Sequence, residues 1–149
     1  MLEPMTDAQP DLDWDNGTLD QLNQFVGTGF DGVLGLKYTD LSKDRARAEL
    51  TIRPDLHQPA GITHGGVYCA VIESMASVAA GYWYGQQGTV VGVNNNTDFL
   101  RAVRAGTLRA EALPIHRGRL QQLWQVTIID ADKRTVARGQ VRLQNLPHS

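Results

Sequence analysis

The sequence predicts an α+β domain in which one long central helix is wrapped by a mainly antiparallel six-stranded sheet. Three observations carry that prediction. The stretch from His64 to Tyr84 is the one segment after the N-terminus long enough, and poor enough in turn residues, to form a substantial helix. From Val67 to Tyr84 it is apolar on nearly every face, which is how a helix reads when the rest of a small protein encloses it. From Val33 onward, that helix apart, the apolar residues recur with a period of two, and short turn-rich connections separate the runs, as in an antiparallel sheet.

Taken in order, residues 1–16 hold Pro4, Pro10 and several acids and read as a mobile tail or a lid that packs late. The chain thus divides into a flexible tail over residues 1–17 and a single domain over residues 18–149. Thr18-Leu19-Asp20-Gln21 fits a capping box, with Leu19, Leu22 and Val26 along one face of a short helix that covers an open end of the sheet. Gly27 to Gly32 spell a literal G-x-G-x-x-G. A dinucleotide loop needs a strand before it and a helix after it; here the order is reversed, so the glycines read as a turn into the first strand.

Val33 to Tyr38 is the first predicted strand and Arg45 to Ile52 the second, with Ala46, Ala48, Leu50 and Ile52 on one face and Arg45, Arg47, Glu49 and Thr51 on the other. After the long helix, with Gly85 as its C-cap, strands are expected at Val90–Leu100, Gly106–Ile115, Leu120–Ile129 and Thr135–Asn145. Asp130-Ala131-Asp132-Lys133 supplies a hairpin turn between the last two.

With 149 residues the chain is long enough for one domain with a real core and short for two. An apolar content of 42% and a charged content of 20% are those of a soluble globular protein, and a formal charge of −2 gives no electrostatic reason to bind nucleic acid. The single cysteine, Cys69, rules out an internal disulfide and a thiolate zinc cluster, and is expected as a small core residue. His57 and His64 lack compact metal-ligand spacing, so no metal is expected. A membrane span fails because Glu73, Ser74 and Ser77 interrupt the apolar run, and a central acid costs roughly 2.5 to 3.5 kcal/mol on insertion. The N-terminus lacks the profile of a secretory signal, which points to the cytoplasm.

Between His64 and Arg101 the only charged residues are Glu73 and Asp98. Glu73 stands two turns inside the helix among Val71, Ile72, Met75 and Ala76, where an enclosed carboxylate requires either a partner, such as the Ser77 hydroxyl, or a use. Gly65 and Gly66 at the helix start leave backbone N–H groups bare at the positive end of the dipole, an oxyanion hole in outline. Gly65 and Glu73 are about 12 Å apart along the axis. For both to act on one carbonyl, a second copy of the helix must supply one of them, which argues for a dimer.

The run His57-Gln58-Pro59-Ala60-Gly61-Ile62-Thr63-His64-Gly65-Gly66, with Glu73 eight residues after Gly65, resembles the hotdog-fold acyl-CoA thioesterases. Within them it is most similar to the branch that includes phenylacetate-pathway thioesterases and the Arthrobacter-type 4-hydroxybenzoyl-CoA thioesterase. The likeness runs from about Gly32 to Leu146. It implies hydrolysis of an acyl-CoA to free acid and CoA, with no cofactor beyond the CoA of the substrate. By the same resemblance Glu73 is nucleophile or general base, the Gly65 N–H and the Gln58 side chain from a second copy polarise the carbonyl, and Ser77 helps orient the acid or water. It further implies a homodimer assembled as a dimer of dimers.

His64 reads as a helix cap or loop anchor, or as a group touching substrate. Gly66 and Asn95 are candidate substrate contacts at the site itself. Arg101 and Arg104 form one basic cluster, and His116, Arg117 and Arg119 another; each reads either as solvated turn residues or as recognition of the CoA phosphates at a tunnel mouth. Asp98 is a second acid or a residue satisfying local backbone. Tyr68, Tyr82, Trp83, Tyr84, Phe99 and Trp124 are the aromatic candidates for lining an acyl pocket. Two other functions use the same fold: an enoyl-CoA hydratase or dehydratase, which needs an acid and a histidine across a double bond, and a non-catalytic acyl-CoA-binding protein.

Overall fold

The structure, a computed structural model, describes residues 12–149. Helix α1 spans Leu19–Val26 and opens on the expected capping box: the Thr18 hydroxyl accepts from the Gln21 N–H, and the Gln21 side chain accepts from the Thr18 N–H at 2.8 Å. Leu22 and Val26 are buried, and Asn23 grips the backbone of Tyr38 through both its amide groups.

The glycine-rich segment departs from expectation. Phe30–Leu34 is a second short helix, α2, closed by Gly35 with φ at 79°, and the first strand, β1, is Lys37–Ser42 rather than Val33–Tyr38. Gly35 adopts the left-handed conformation that favours glycine and turns its N–H back onto the carbonyls of Asp31 and Gly32. Gly32 lies so close to the Gly27 carbonyl that a Cβ there would collide with it, which lets the chain fold α2 back against the end of α1.

Strand β2 is Arg45–Ile52, with the alternating burial its sequence shows. The long helix α3 runs Gly65–Tyr84 and is capped at its end by Gly85. Strands β3 (Gly88–Phe99), β4 (Gly106–Arg117), β5 (Gln121–Ile129) and β6 (Thr135–Pro147) follow. Together the six form one sheet in the order β1-β2-β4-β5-β6-β3, with every neighbouring pair antiparallel. One face of it packs on α3: Ala48, Leu108, Trp124 and Val141 meet a helix flank that includes Ile72, Met75 and Ala79. This is the hotdog arrangement. Among the described residues, no helix is long and apolar enough to cross a membrane.

Two amide side chains tie α3 to the sheet. Asn95 of β3 donates to the Cys69 carbonyl at 3.0 Å. Gln122, fully buried on β5, donates to the Asn145 side chain at 2.8 Å and reaches the Ala80 carbonyl at 3.4 Å, while its oxygen accepts from the Trp124 indole. Each polar atom of the Gln122 amide is thereby satisfied.

The predicted tail divides. Residues 1–11 lie outside the described residues, whereas residues 12–17 are docked on the body. Leu12 is buried in the core, Trp14 lies against Gly81 of α3, and the Gly17 N–H closes onto the Asp13 carbonyl at 2.7 Å.

Candidate functional site

α3 is less enclosed than its composition implies. Gly66, Ala70, Glu73, Ser74, Ser77 and Gly81 fall on one side of the helix, and none of them is fully buried. Glu73 is exposed in the single chain, which corrects the expectation of an acid among apolar neighbours. Its carboxylate points away from the core toward β3, with Oε1 where a Cβ on Gly92 would approach it to 3.1 Å. Glycine at that position leaves room for the carboxylate beside the strand, next to the irregularity in β3 pairing between Gly92 and Asn94.

A groove of about 480 Å³ opens beside Glu73. Ser74, Ser77, Val78 and Gly81 form its α3 side, Gly88 to Val90 of β3 another, and Phe25, Val26, Phe30, Asp31 and Trp14 the third. Glu73 and Ser77 share one face, as their spacing predicts. Trp14, Phe25, Phe30 and Asp31 were not expected in this lining, and the six aromatic residues that were expected are absent from it. Trp124 is wholly buried, and Trp83 is stacked on Tyr84.

Asp31 is the second acid of the groove. Its carboxylate accepts from the Ser74 hydroxyl at 2.5 Å. Partial burial raises its pKa above the ordinary 3.8, with the Ser74 hydrogen bond opposing the rise. The Tyr38 hydroxyl is buried without a partner among the described residues, and its pKa is pushed up, first by burial and then by the Asp31 charge. Asp98, by contrast, is exposed on β3 opposite Arg138, away from this lining.

The start of α3 is organised around His64. Its Nδ1 accepts from the Gly66 N–H at 2.8 Å, so His64 is the helix cap. That bond also takes up the Gly66 donor. The Gly65 N–H has no acceptor among the described residues. Phe99 lies over the Gly65 Cα so tightly that a Cβ would come within 2.5 Å of the ring. Gln58, in the loop before the helix, turns its side-chain oxygen onto the Ala60 N–H, and its NH₂ makes no hydrogen bond among the described residues. Gly65 and Gln58 thus present donors near one end of α3, and Glu73 an acid two turns on.

The two basic clusters are not brought together. Arg104 is bound into the Gln58 loop, donating to the Gly61 carbonyl at 3.0 Å, while His57 meets the Arg104 carbonyl at 2.7 Å. Arg117 lies at the opposite end of α3, where it donates to Asp44 and the Lys43 carbonyl, both at 2.8 Å, and sits over the rings of Trp83 and Trp124. Its guanidinium is committed to structure. Arg101, Arg119 and His116 are exposed. Asn95 is held by the Cys69 carbonyl and by the Thr97 hydroxyl, and Cys69 is partly exposed rather than a core residue.

Comparison with known proteins agrees with this fold. The family described as the Thioesterase superfamily matches residues 60–137. A Mycobacterium tuberculosis protein that bears an esterase name, one that specifies no substrate, is 60% identical over 124 residues, which cover 81% of this chain and 89% of the relative. A solved structure of S. sahachiroi AziG superposes with a TM-score of 0.80 at 52% identity, covering 80% of this chain and 98% of the other. The structure of a Haemophilus influenzae thioesterase superposes with a TM-score of 0.85 at 31% identity, covering 92% and 96%. These matches show that the chain belongs to the Thioesterase superfamily.

Proposed function

We propose that the protein hydrolyses an acyl-CoA thioester to the free acid and CoA. The observation that carries this reading is the placement of Glu73: an accessible carboxylate at the mouth of an apolar groove, beside an edge strand where a second copy can approach. A thioester carbonyl needs a polarised oxygen and an attacking group. Glu73 delivers the attack, directly through its carboxylate or through a water that it deprotonates, and Ser77, one turn on, helps orient it. The Gly65 N–H and the Gln58 amide, supplied by a second copy, stabilise the oxyanion.

Support for the second copy comes from β3. It is an edge strand of twelve residues that pairs, among the described residues, only with β6, and it leaves Val91, Val93 and Phe99 between 43% and 56% exposed. Long apolar edges invite strand pairing. Pairing two β3 strands about a twofold axis brings the head of one α3 toward the middle of the other, which closes the gap of about 12 Å within a single helix. Arg101 and Arg104 supply the cations that meet the CoA phosphates, a reading supported by the bond of Arg104 to the Gln58 loop and the exposure of Arg101.

The test is thiol release from a panel of aryl- and fatty acyl-CoAs by the purified protein and by Glu73→Gln. The variant is expected to lose about 10²-fold or more in kcat. Retention of most of the wild-type rate by Glu73→Gln would remove the mechanism.

A further inference from the structure

The groove that begins at Glu73 has a built end. It follows α3 past Ser77 to Gly81, eight residues or about 12 Å along the axis, and there the Trp14 indole lies against the helix. A Cβ at Gly81 would meet that ring at 3.2 Å, so this position leaves space for the indole and little more. Trp14 also packs edge-on against Phe25 of the groove wall, with centroids 6.0 Å apart and planes at 82°.

The strap that carries it is fastened on both sides. Leu12 is 7% exposed in the core. The Asp13 carboxylate accepts from the N–H groups of Asp15 and Asn16 at 2.9 and 3.1 Å. Lys43 bridges Asp15, at 3.5 Å, to the Tyr82 carbonyl at the end of α3, at 2.6 Å. The indole is therefore a wall, held in place by groups that do not themselves line the groove.

We propose that Trp14 is the residue that sets acyl length: with the thioester carbonyl at Glu73, the acyl group lies along Ser77, Val78 and Gly81 and stops at the indole. The inference rests on the hydrolase reading and adds its substrate class, acyl groups that end within about 12 Å of the carbonyl. Chains that overrun the wall must leave part of their length in water, and each methylene so denied is worth roughly tenfold in discrimination.

The experiment compares kcat/KM for butanoyl-, octanoyl-, dodecanoyl- and palmitoyl-CoA in wild type, Trp14→Leu and Trp14→Ala. Wild type is expected to fall off sharply within this series. Trp14→Ala should raise the ratio of the first rejected chain to butanoyl-CoA by about tenfold or more, and Trp14→Leu by less. A merely structural indole would lower all four rates together and leave the ratios unchanged, and that result overturns the proposal. If Trp14→Ala melts below the assay temperature, Trp14→Leu decides by the same ratio. Thiol release by wild type with unaltered ratios in the variants removes the length-setting role alone; no release from any of the four removes that role too, and the hydrolase reading falls with it only if the aryl-CoAs of the wider panel are also left intact.

Discussion

Asp31 carries a cost that its surroundings do not fully offset. In the folded chain its pKa stands above 3.8, because burial disfavours the charge more than the Ser74 hydroxyl favours it. Between those two pKa values the native state holds a proton that the unfolded chain has released. Its contribution to stability therefore falls as pH rises through that window. Asp31→Asn removes the titration. Its melting temperature relative to wild type is expected to climb as pH rises above 3.8, and a difference that does not change with pH would rule out burial of the charge as the cause. An acid kept at such a cost in the groove that Glu73 also lines accords with the proposed site. Nothing local in the sequence flags it, since Asp31 sits in a glycine-rich run and meets Ser74 across 43 positions.

The short helix α1 shows how a cap reaches the groove. It supplies Phe25 and Val26 to the wall, and its first turn is closed by the reciprocal bonds of Thr18 and Gln21. Thr18→Ala is expected to cost about 1 kcal/mol in urea unfolding, and no measurable loss would mean that Asn23 and the packing of Leu22 already fix the helix. This capping box was legible because its spacing is local. So were α3 and the strands β2 to β6, whose periods persist over eight residues or more. Helix α2 was not: five residues that include a glycine are too few for a period to show, and the left-handed Gly35 reads equally as a turn. Glu73, Gly65 and Ser77 could be placed relative to one another because one continuous helix carries them. Trp14, Phe25 and Asp31 reach the groove by packing of separate short segments, which no spacing encodes. The exposure of Glu73 did have a signal, the small residues at Gly66, Ala70, Ser74, Ser77 and Gly81 along its own side of the helix.

For the molecule as a whole, the proposed site is shared between copies, and that has a direct test. Glu73→Gln and Gln58→Ala chains each lack one half of every site in their own dimers. Co-refolded in equal amounts, they are expected to recover about one working site in four, because each mixed dimer contains one site with both groups intact. Absence of recovery, together with a monomeric mass in sedimentation, would overturn the shared site. Wherever its partner groups come from, the acid depends on how α3 is seated. Grease grips a rod without telling it how far to turn, and the flank of α3 is largely Val, Ala and Met. Its angle and height are indexed instead by Asn95 at the Cys69 carbonyl and Gln122 at the Ala80 carbonyl, one turn before Glu73 and about two after it. The aim of the carboxylate is thus governed by two neutral amides with no acid–base chemistry of their own.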